Sequence, residues 1–75
     1  MANEKKLNEL RQTLGRNIQR LRKEKGLTQE QLAEKAGLAM TSVAYIEAGY
    51  NFPAFETMYK VSQVLGVKIK DLIPF

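Results

Sequence analysis

The chain has 75 residues, of which 44% are hydrophobic and 27% charged, and its net charge is +4. A domain this small has little apolar burial to spare, so its architecture must be simple, and the composition excludes a disordered or collagen-like chain. The sequence has no Cys and no His. This excludes disulfides and thiolate zinc sites and removes the commonest metal ligand and general base, so we expect no metal, no cofactor, no small-molecule ligand and no enzyme.

The chain has no signature of a membrane or secreted protein. No stretch approaches the roughly 18 apolar residues that a membrane span requires. The N-terminal segment MANEKKLNEL has lysines but no apolar core behind them, so it is not a secretory signal. We expect a cytoplasmic protein.

Positive charge is concentrated at the start of the chain. Residues 1–26 carry eight bases and three acids, a net charge of +5, whereas residues 27–49 carry −2 and residues 50–75 carry +1. A basic surface attracts nucleic acid or an acidic membrane, although many basic helices are only solvated faces. Charge alone leaves these alternatives open.

The first predicted element is an amphipathic helix that reaches Lys25 and stops at Gly26. Its apolar residues recur three or four positions apart: Leu7, Leu10, Leu14, Ile18 and Leu21. Gly15 weakens the middle of this helix by up to about 1 kcal/mol relative to alanine. Residues 1–8 are expected to be an extension that frays or continues the helix, and residues 9–75 a single domain.

Two short helices joined by a tight turn are predicted over residues 28–49. Thr28 can cap the first of them, with Gln31 reaching back to complete a capping box, and Gly37 can end it in the left-handed conformation. The second runs from Ala39 until Gly49. The inward positions of the pair are Leu32, Ala33, Ala36, Ala39, Val43 and Ile46.

A fourth helix is predicted after Pro53, over the segment FETMYKVSQVL, with Gly66 ending it. Its apolar residues repeat at helical spacing. We therefore expect its aromatic residues, Phe55 and Tyr59, to lie in the core.

The final segment, VKIKDLIPF, has no second strand to pair with, so residues 68–73 are predicted to form a short fifth helix. It leaves Leu72, Ile73 and Phe75 as an apolar excess at the chain end. These residues can pack into the chain's own core or against another subunit. We expect them to do both, and we place all three at a dimer interface.

The order of the segments RLRKEKG, LTQEQLAEKAG and SVAYIEAG, followed by a Pro-led helix ending VLGV, resembles the Cro and phage-repressor helix-turn-helix family, often called the XRE family. The resemblance covers roughly Leu14 to Ile73. It implies an all-α, compact five-helix bundle of the lambda-repressor-like type. It also implies a sequence-specific regulator of transcription, usually a homodimer on a palindromic operator, with the third helix (about 39–48) in the DNA major groove. A phage-type repressor, an antitoxin and a restriction-modification controller all remain open.

The resemblance also assigns roles to individual residues. Arg22 and Glu47 fall at positions that form an ion pair in several relatives; the alternative is two unrelated surface charges. Thr28 is as readily a plain helix cap as a phosphate contact. The residues expected to contact DNA are Thr28, Gln29, Met40, Thr41, Ser42, Ala44, Tyr45, Tyr50, Asn51, Arg20 and Lys25.

The outward face of the third helix departs from the family pattern, in which Ser, Arg, Gln or Lys commonly occupy these positions. Met40 and Ala44 can pack on thymine methyl groups and the Tyr45 hydroxyl can hydrogen-bond, but no charge is available to read guanine. A protein-interaction module with the same fold is therefore the alternative function, using Met40, Ala44, Tyr45, Tyr50 and Phe52. A membrane role for the basic helix is disfavoured because its leucines are needed in the core.

Overall fold

The computed structural model describes residues 3–75, and within them it contains five α-helices and no strand. The helices are α1 (Glu4–Glu24), α2 (Gln29–Ala36), α3 (Met40–Ala48), α4 (Phe55–Leu65) and α5 (Ile69–Leu72). The all-α, five-helix prediction is confirmed. Residues 1 and 2 of the expected extension lie outside the described residues, and no helix of residues 3–75 is long and apolar enough to cross a membrane.

The helix ends follow from local chemistry. The Asn3 side chain accepts a hydrogen bond from the Lys6 amide at the start of α1. At the start of α2, the Thr28 hydroxyl oxygen accepts from the Gln31 amide, and the Gln31 side chain accepts from the Thr28 amide, which completes the predicted capping box. Gly37 ends α2 at φ +69°, in the left-handed region. The two helices of residues 28–49 are therefore separated by only three residues.

All five helices contribute to one apolar core. Its buried members are Leu14, Ile18, Leu32, Ala33, Val43, Ile46, Val61, Leu65 and Leu72. The inward positions predicted for α2 and α3 are confirmed except for Ala39, which is exposed. The core holds the pair α2 and α3 against α1 and α4, and so fixes which face of α3 is left to solvent.

The prediction that Phe55 and Tyr59 are core residues is wrong. Phe55 is 68% exposed and Tyr59 52% exposed. Both lie at one edge of a wide apolar stripe on α4, and the middle of that stripe, with Val61 and Leu65, is the part that faces the core.

The expectation for the chain end is corrected in one respect. Leu72 has no exposed surface and is part of the chain's own core, so it cannot contact a second subunit in this fold. Ile73 is half-buried against the same core, whereas Phe75 is 57% exposed. A carboxamide on α1 holds this end in place, because Asn17 Nδ2 donates to the carbonyl oxygens of Asp71 and Leu72 at 2.9 and 3.0 Å.

Gly15 marks a point of close backbone approach between α1 and α3. A Cβ atom at this position would collide with the carbonyl oxygen of Ile46 and would lie 2.7 Å from that of Glu47. Because both are backbone atoms, no side-chain movement can make room. The glycine that weakens α1 as an isolated helix is thus required for α3 to pack against it.

Candidate nucleic-acid interface

The outward face of α3 is left uncovered by the core. Met40 is 51% exposed and Tyr45 52% exposed, and Thr41 and Ser42 are also exposed. Ala44 is half-buried among them. The predicted base-contacting residues therefore share one surface, opposite the side chains that anchor α3 in the core.

A buried ion pair fixes the C-terminal end of α3. Arg22 Nε and Nη2 donate to the two carboxylate oxygens of Glu47 at 2.7 and 3.0 Å, and Arg22 Nη1 donates to the carbonyl oxygen of Leu27 at 2.7 Å. The two side chains are only 8% and 2% exposed. Because the fork-to-fork geometry is bidentate, it holds α1 and α3 at a defined angle as well as a defined distance. The pair expected from the resemblance is present.

The same carboxylate also holds the start of α2. Gln29 Nε2 donates to Glu47 Oε1 at 3.0 Å. The half-buried Gln29 carboxamide is thereby directed towards α3, and one of its donors is committed to the fold. Thr28 serves as the cap of α2, but a hydroxyl that accepts one bond still has a hydrogen to donate. Helix α2 thus presents its free N-terminal amides and the Thr28 hydroxyl beside α3, an arrangement that favours phosphate.

Aromatic side chains line the exit from α3. The Tyr45 and Tyr50 rings lie 5.4 Å apart between centroids at 53°, and Tyr50 is 71% exposed. Phe52 is 41% exposed, and the Arg11 guanidinium of α1 lies 5.5 Å from its ring centroid, a cation–π distance. An open groove of about 330 Å³ runs between α3 and the start of α4, lined in part by Thr41, Ser42, Tyr45, Asn51 and Phe52.

The structure does not bring Arg20 to this surface. At about 100° per residue, Arg20 lies about 140° around α1 from Gly15, the residue that touches α3. Its guanidinium donates to Asn17 Oδ1 at 2.7 Å and to Glu24 at 2.8 Å, and Asn17 in turn binds the end of α5. Arg20 is therefore on the α5 side of α1, and the expectation that it joins the DNA-contacting residues is corrected.

Lys25 also lies away from the exposed face of α3. Its ammonium group is beside Gly66, at the C-terminal end of α4, where the helix dipole favours a cation. Both residues belong to the basic segment at the start of the chain, which suggested a contact with DNA. The charge of a residue does not show which side of a helix its neighbours pack against.

Two contacts of this surface were not predicted from the sequence. The contact of Arg11 with Phe52 joins residues 41 positions apart, and the contact of Gln29 with Glu47 joins residues 18 positions apart. No local periodicity relates either pair. Gly15 did carry a weak signal, since a glycine inside an otherwise regular helical pattern costs helix stability, and close packing is one reason for a glycine there. Within residues 3–75 no three acidic, histidine or cysteine side chains converge as a metal site.

Comparison with known families gives the class of protein. Residues 18–72 match the helix-turn-helix family, and the chain belongs to this family, in its Cro/C1 (XRE) type. An uncharacterised helix-turn-helix transcriptional regulator of Sinorhizobium fredii, y4dJ, is 37% identical over 65 residues, which are 87% of this chain and 84% of the relative. The relatives of this chain also include a phage immunity repressor and the helix-turn-helix transcriptional regulator SinR of Bacillus subtilis, and none of these is an enzyme.

Solved structures agree with this assignment. The restriction-modification controller protein C.AhdI of Aeromonas hydrophila superimposes with a TM-score of 0.79 at 30% identity, covering 85% of this chain and 96% of that one. SinR, described as the master regulator for biofilm formation and solved in complex with DNA, superimposes with a TM-score of 0.76 at 40% identity, covering 79% of this chain and 95% of that one. The chain therefore has the fold of proteins that regulate transcription and, in the case of SinR, bind DNA.

Proposed function

We propose that the chain binds double-stranded DNA sequence-specifically, as a homodimeric regulator of transcription in the cytoplasm, with α3 in the major groove. The observation that carries this proposal is the solvent-facing side of α3, which is uncovered by the core and flanked by the N-terminus of α2. A helix of this kind fits the width of the major groove, and helix N-termini favour phosphate. The likeness to SinR, a protein solved with DNA, supports it.

The proposed contacts fall into two groups. Met40, Thr41, Ser42, Ala44 and Tyr45 face the bases, because they share the exposed side of α3. Thr28, Gln29, Tyr50 and Asn51 flank that side and offer hydroxyl, amide and backbone donors to phosphates. Arg20 and Lys25 are left out of the interface because they lie elsewhere on the fold.

The homodimer is proposed from the apolar surface at the chain end. Phe75 is 57% exposed and follows the half-buried Ile73 in the chain, and an aromatic side chain of this exposure gains from burial against a second copy. A two-fold symmetric dimer presents two copies of α3, which is how such proteins read palindromic sites.

Selection of binding sites from random duplex DNA tests the proposal. We expect enrichment of a two-fold repeat with half-sites about 34–36 Å apart, one helical turn. The affinity for that duplex should fall only modestly between about 50 and about 200 mM salt, because the proposed phosphate contacts are neutral side chains and helix amides, which displace few counterions. A pool without any enriched sequence would sink the proposal.

A protein-interaction module is the second candidate. The specific observation in its favour is the neutral surface of Met40, Tyr45, Tyr50 and Phe52, which are between 41% and 71% exposed. Aromatic residues and methionine are enriched in protein–protein interfaces and charged residues are depleted there. The same selection separates the two functions, because a module of this kind would enrich no DNA sequence.

A further inference from the structure

Arginine is absent from the elements proposed to enter the groove. All four arginines of the chain, Arg11, Arg16, Arg20 and Arg22, lie in α1, and the only basic residue of positions 27–49 is Lys35. Arginine is the side chain that pairs most often with guanine, through its two-pronged fork. Helices α2 and α3 therefore have no fork for guanine.

Three of these arginines also have other partners. Arg22 is buried and bound to Glu47 and to the carbonyl of Leu27. Arg20 is bound to Asn17 and Glu24 on the α5 side of α1. Arg11 lies over the Phe52 ring. The charged residue of α3 itself, Glu47, is buried and accepts hydrogen bonds from both Arg22 and Gln29. No charge of α3 is left for a base edge.

The exposed side of α3 instead presents apolar groups and single hydroxyls. The Met40 thioether chain is half exposed, the Ala44 methyl lies within the face, and the Tyr45 ring is 52% exposed and held beside Tyr50. The one apolar group that a base pair shows in the major groove is the C5 methyl of thymine. Hydroxyl groups such as those of Thr41 and Ser42 donate to or accept from several base edges and so discriminate little between them.

We propose, building on the proposed DNA-binding function, that α3 recognises its site through the C5 methyl groups of thymine, which pack against Met40, Ala44 and Tyr45. Sequence preference is then strongest at thymine positions of each half-site, and guanine positions are read weakly by this helix. The flanking donors of α2 and of the segment after α3 supply affinity that is independent of sequence.

Base analogues test this inference on the full chain. In the enriched duplex, each thymine is replaced in turn by deoxyuridine, which keeps the base pair and removes only the C5 methyl. Burial of one methyl-sized group corresponds to about a fourfold change in affinity, so we expect about a fourfold loss at each contacted thymine. In parallel, each guanine is replaced by 7-deazaguanine, which removes the N7 acceptor, and we expect little change.

Two variants assign the effect to α3. Met40→Ala should lower the affinity for the unmodified duplex. It should also abolish the loss of affinity caused by deoxyuridine at the one position whose thymine methyl packs against Met40, because that methyl then has no partner. Tyr59→Ala removes an equally exposed aromatic residue from α4 and should leave every deoxyuridine effect unchanged. Both positions are on the surface, so both variants should fold, which circular dichroism checks.

The outcomes separate this inference from the function it rests on. If a site is enriched but deoxyuridine is tolerated at every position, or if 7-deazaguanine causes the large losses, thymine recognition is overturned while DNA binding stands. If no site is enriched, the proposed function is overturned and this inference with it.

Discussion

Replacing Glu47 with alanine is expected to lower the free energy of unfolding by about 3–5 kcal/mol, because it leaves the buried Arg22 guanidinium without its carboxylate. The loss is large because Arg22 Nε and Nη2 and Gln29 Nε2 all donate to Glu47, so one substitution leaves three donors without their acceptor. It is comparable with the entire stability of a domain of this size, roughly 4–11 kcal/mol. Denaturant unfolding followed by circular dichroism measures it.

Glu34→Ala is the matched control, since Glu34 is an exposed residue of α2, and its free energy of unfolding should change by no more than about 0.5 kcal/mol. Glu47→Gln keeps the shape and one acceptor and should fall between the two. Replacing both Arg22 and Glu47 with apolar residues should recover part of the loss, because no charge is then buried. Equal unfolding midpoints for Glu47→Ala and Glu34→Ala would contradict this view of the ion pair.

The second large effect is expected from Gly15→Ala. Alanine is the better helix former by about 1 kcal/mol, so α1 considered alone predicts a gain in stability. The added Cβ, however, meets the backbone carbonyls of Ile46 and Glu47, and α1 and α3 must move apart to admit it. Overpacking against backbone costs up to about 3 kcal/mol and should outweigh the gain, leaving a net loss of about 1–2 kcal/mol. In a domain this small, that lowers the Tm by roughly 5–15 °C.

Arg16→Ala is the control, because Arg16 is the exposed neighbour of Gly15 in α1, and its replacement introduces the same residue at a position that faces solvent. Its Tm should stay within a few degrees of the parent's by the same scaling. A Gly15→Ala variant as stable as Arg16→Ala would show that the two helices have room to spare.

The helices could be predicted from the sequence because their ends are set locally. The capping box of Thr28 and Gln31, the glycine at position 37 and the apolar spacing of α4 each act within a few residues, and the structure reproduces them. The prediction from the apolar spacing of α4 was wrong for Phe55 and Tyr59, and the reason is physical. Its apolar residues span more of the helix surface than one packing contact can cover, and only the neighbouring helices decide which edge stays exposed.

The candidate site was predicted in part. The outward residues of α3 follow from helical geometry once the inward residues are known, so Met40, Thr41 and Tyr45 were placed on one surface correctly. Arg20 and Lys25 were assigned to the wrong surface because the charge of a residue does not show which side of a helix faces the site. The bond from Gln29 to Glu47 depends on how α2 and α3 pack, which a single sequence does not contain.

The central claim, that the exposed side of α3 reads DNA, is tested most directly by measuring the affinity of Tyr45→Ala and Tyr59→Ala for the enriched duplex side by side. Both tyrosines are 52% exposed, but only Tyr45 is on α3. Tyr45→Ala should lose on the order of tenfold in affinity and change the preferred sequence, because each subunit of the proposed dimer loses an apolar contact worth about fourfold. Tyr59→Ala should bind like the parent. Equal affinities for the two variants, with unchanged sequence preference, would contradict the claim.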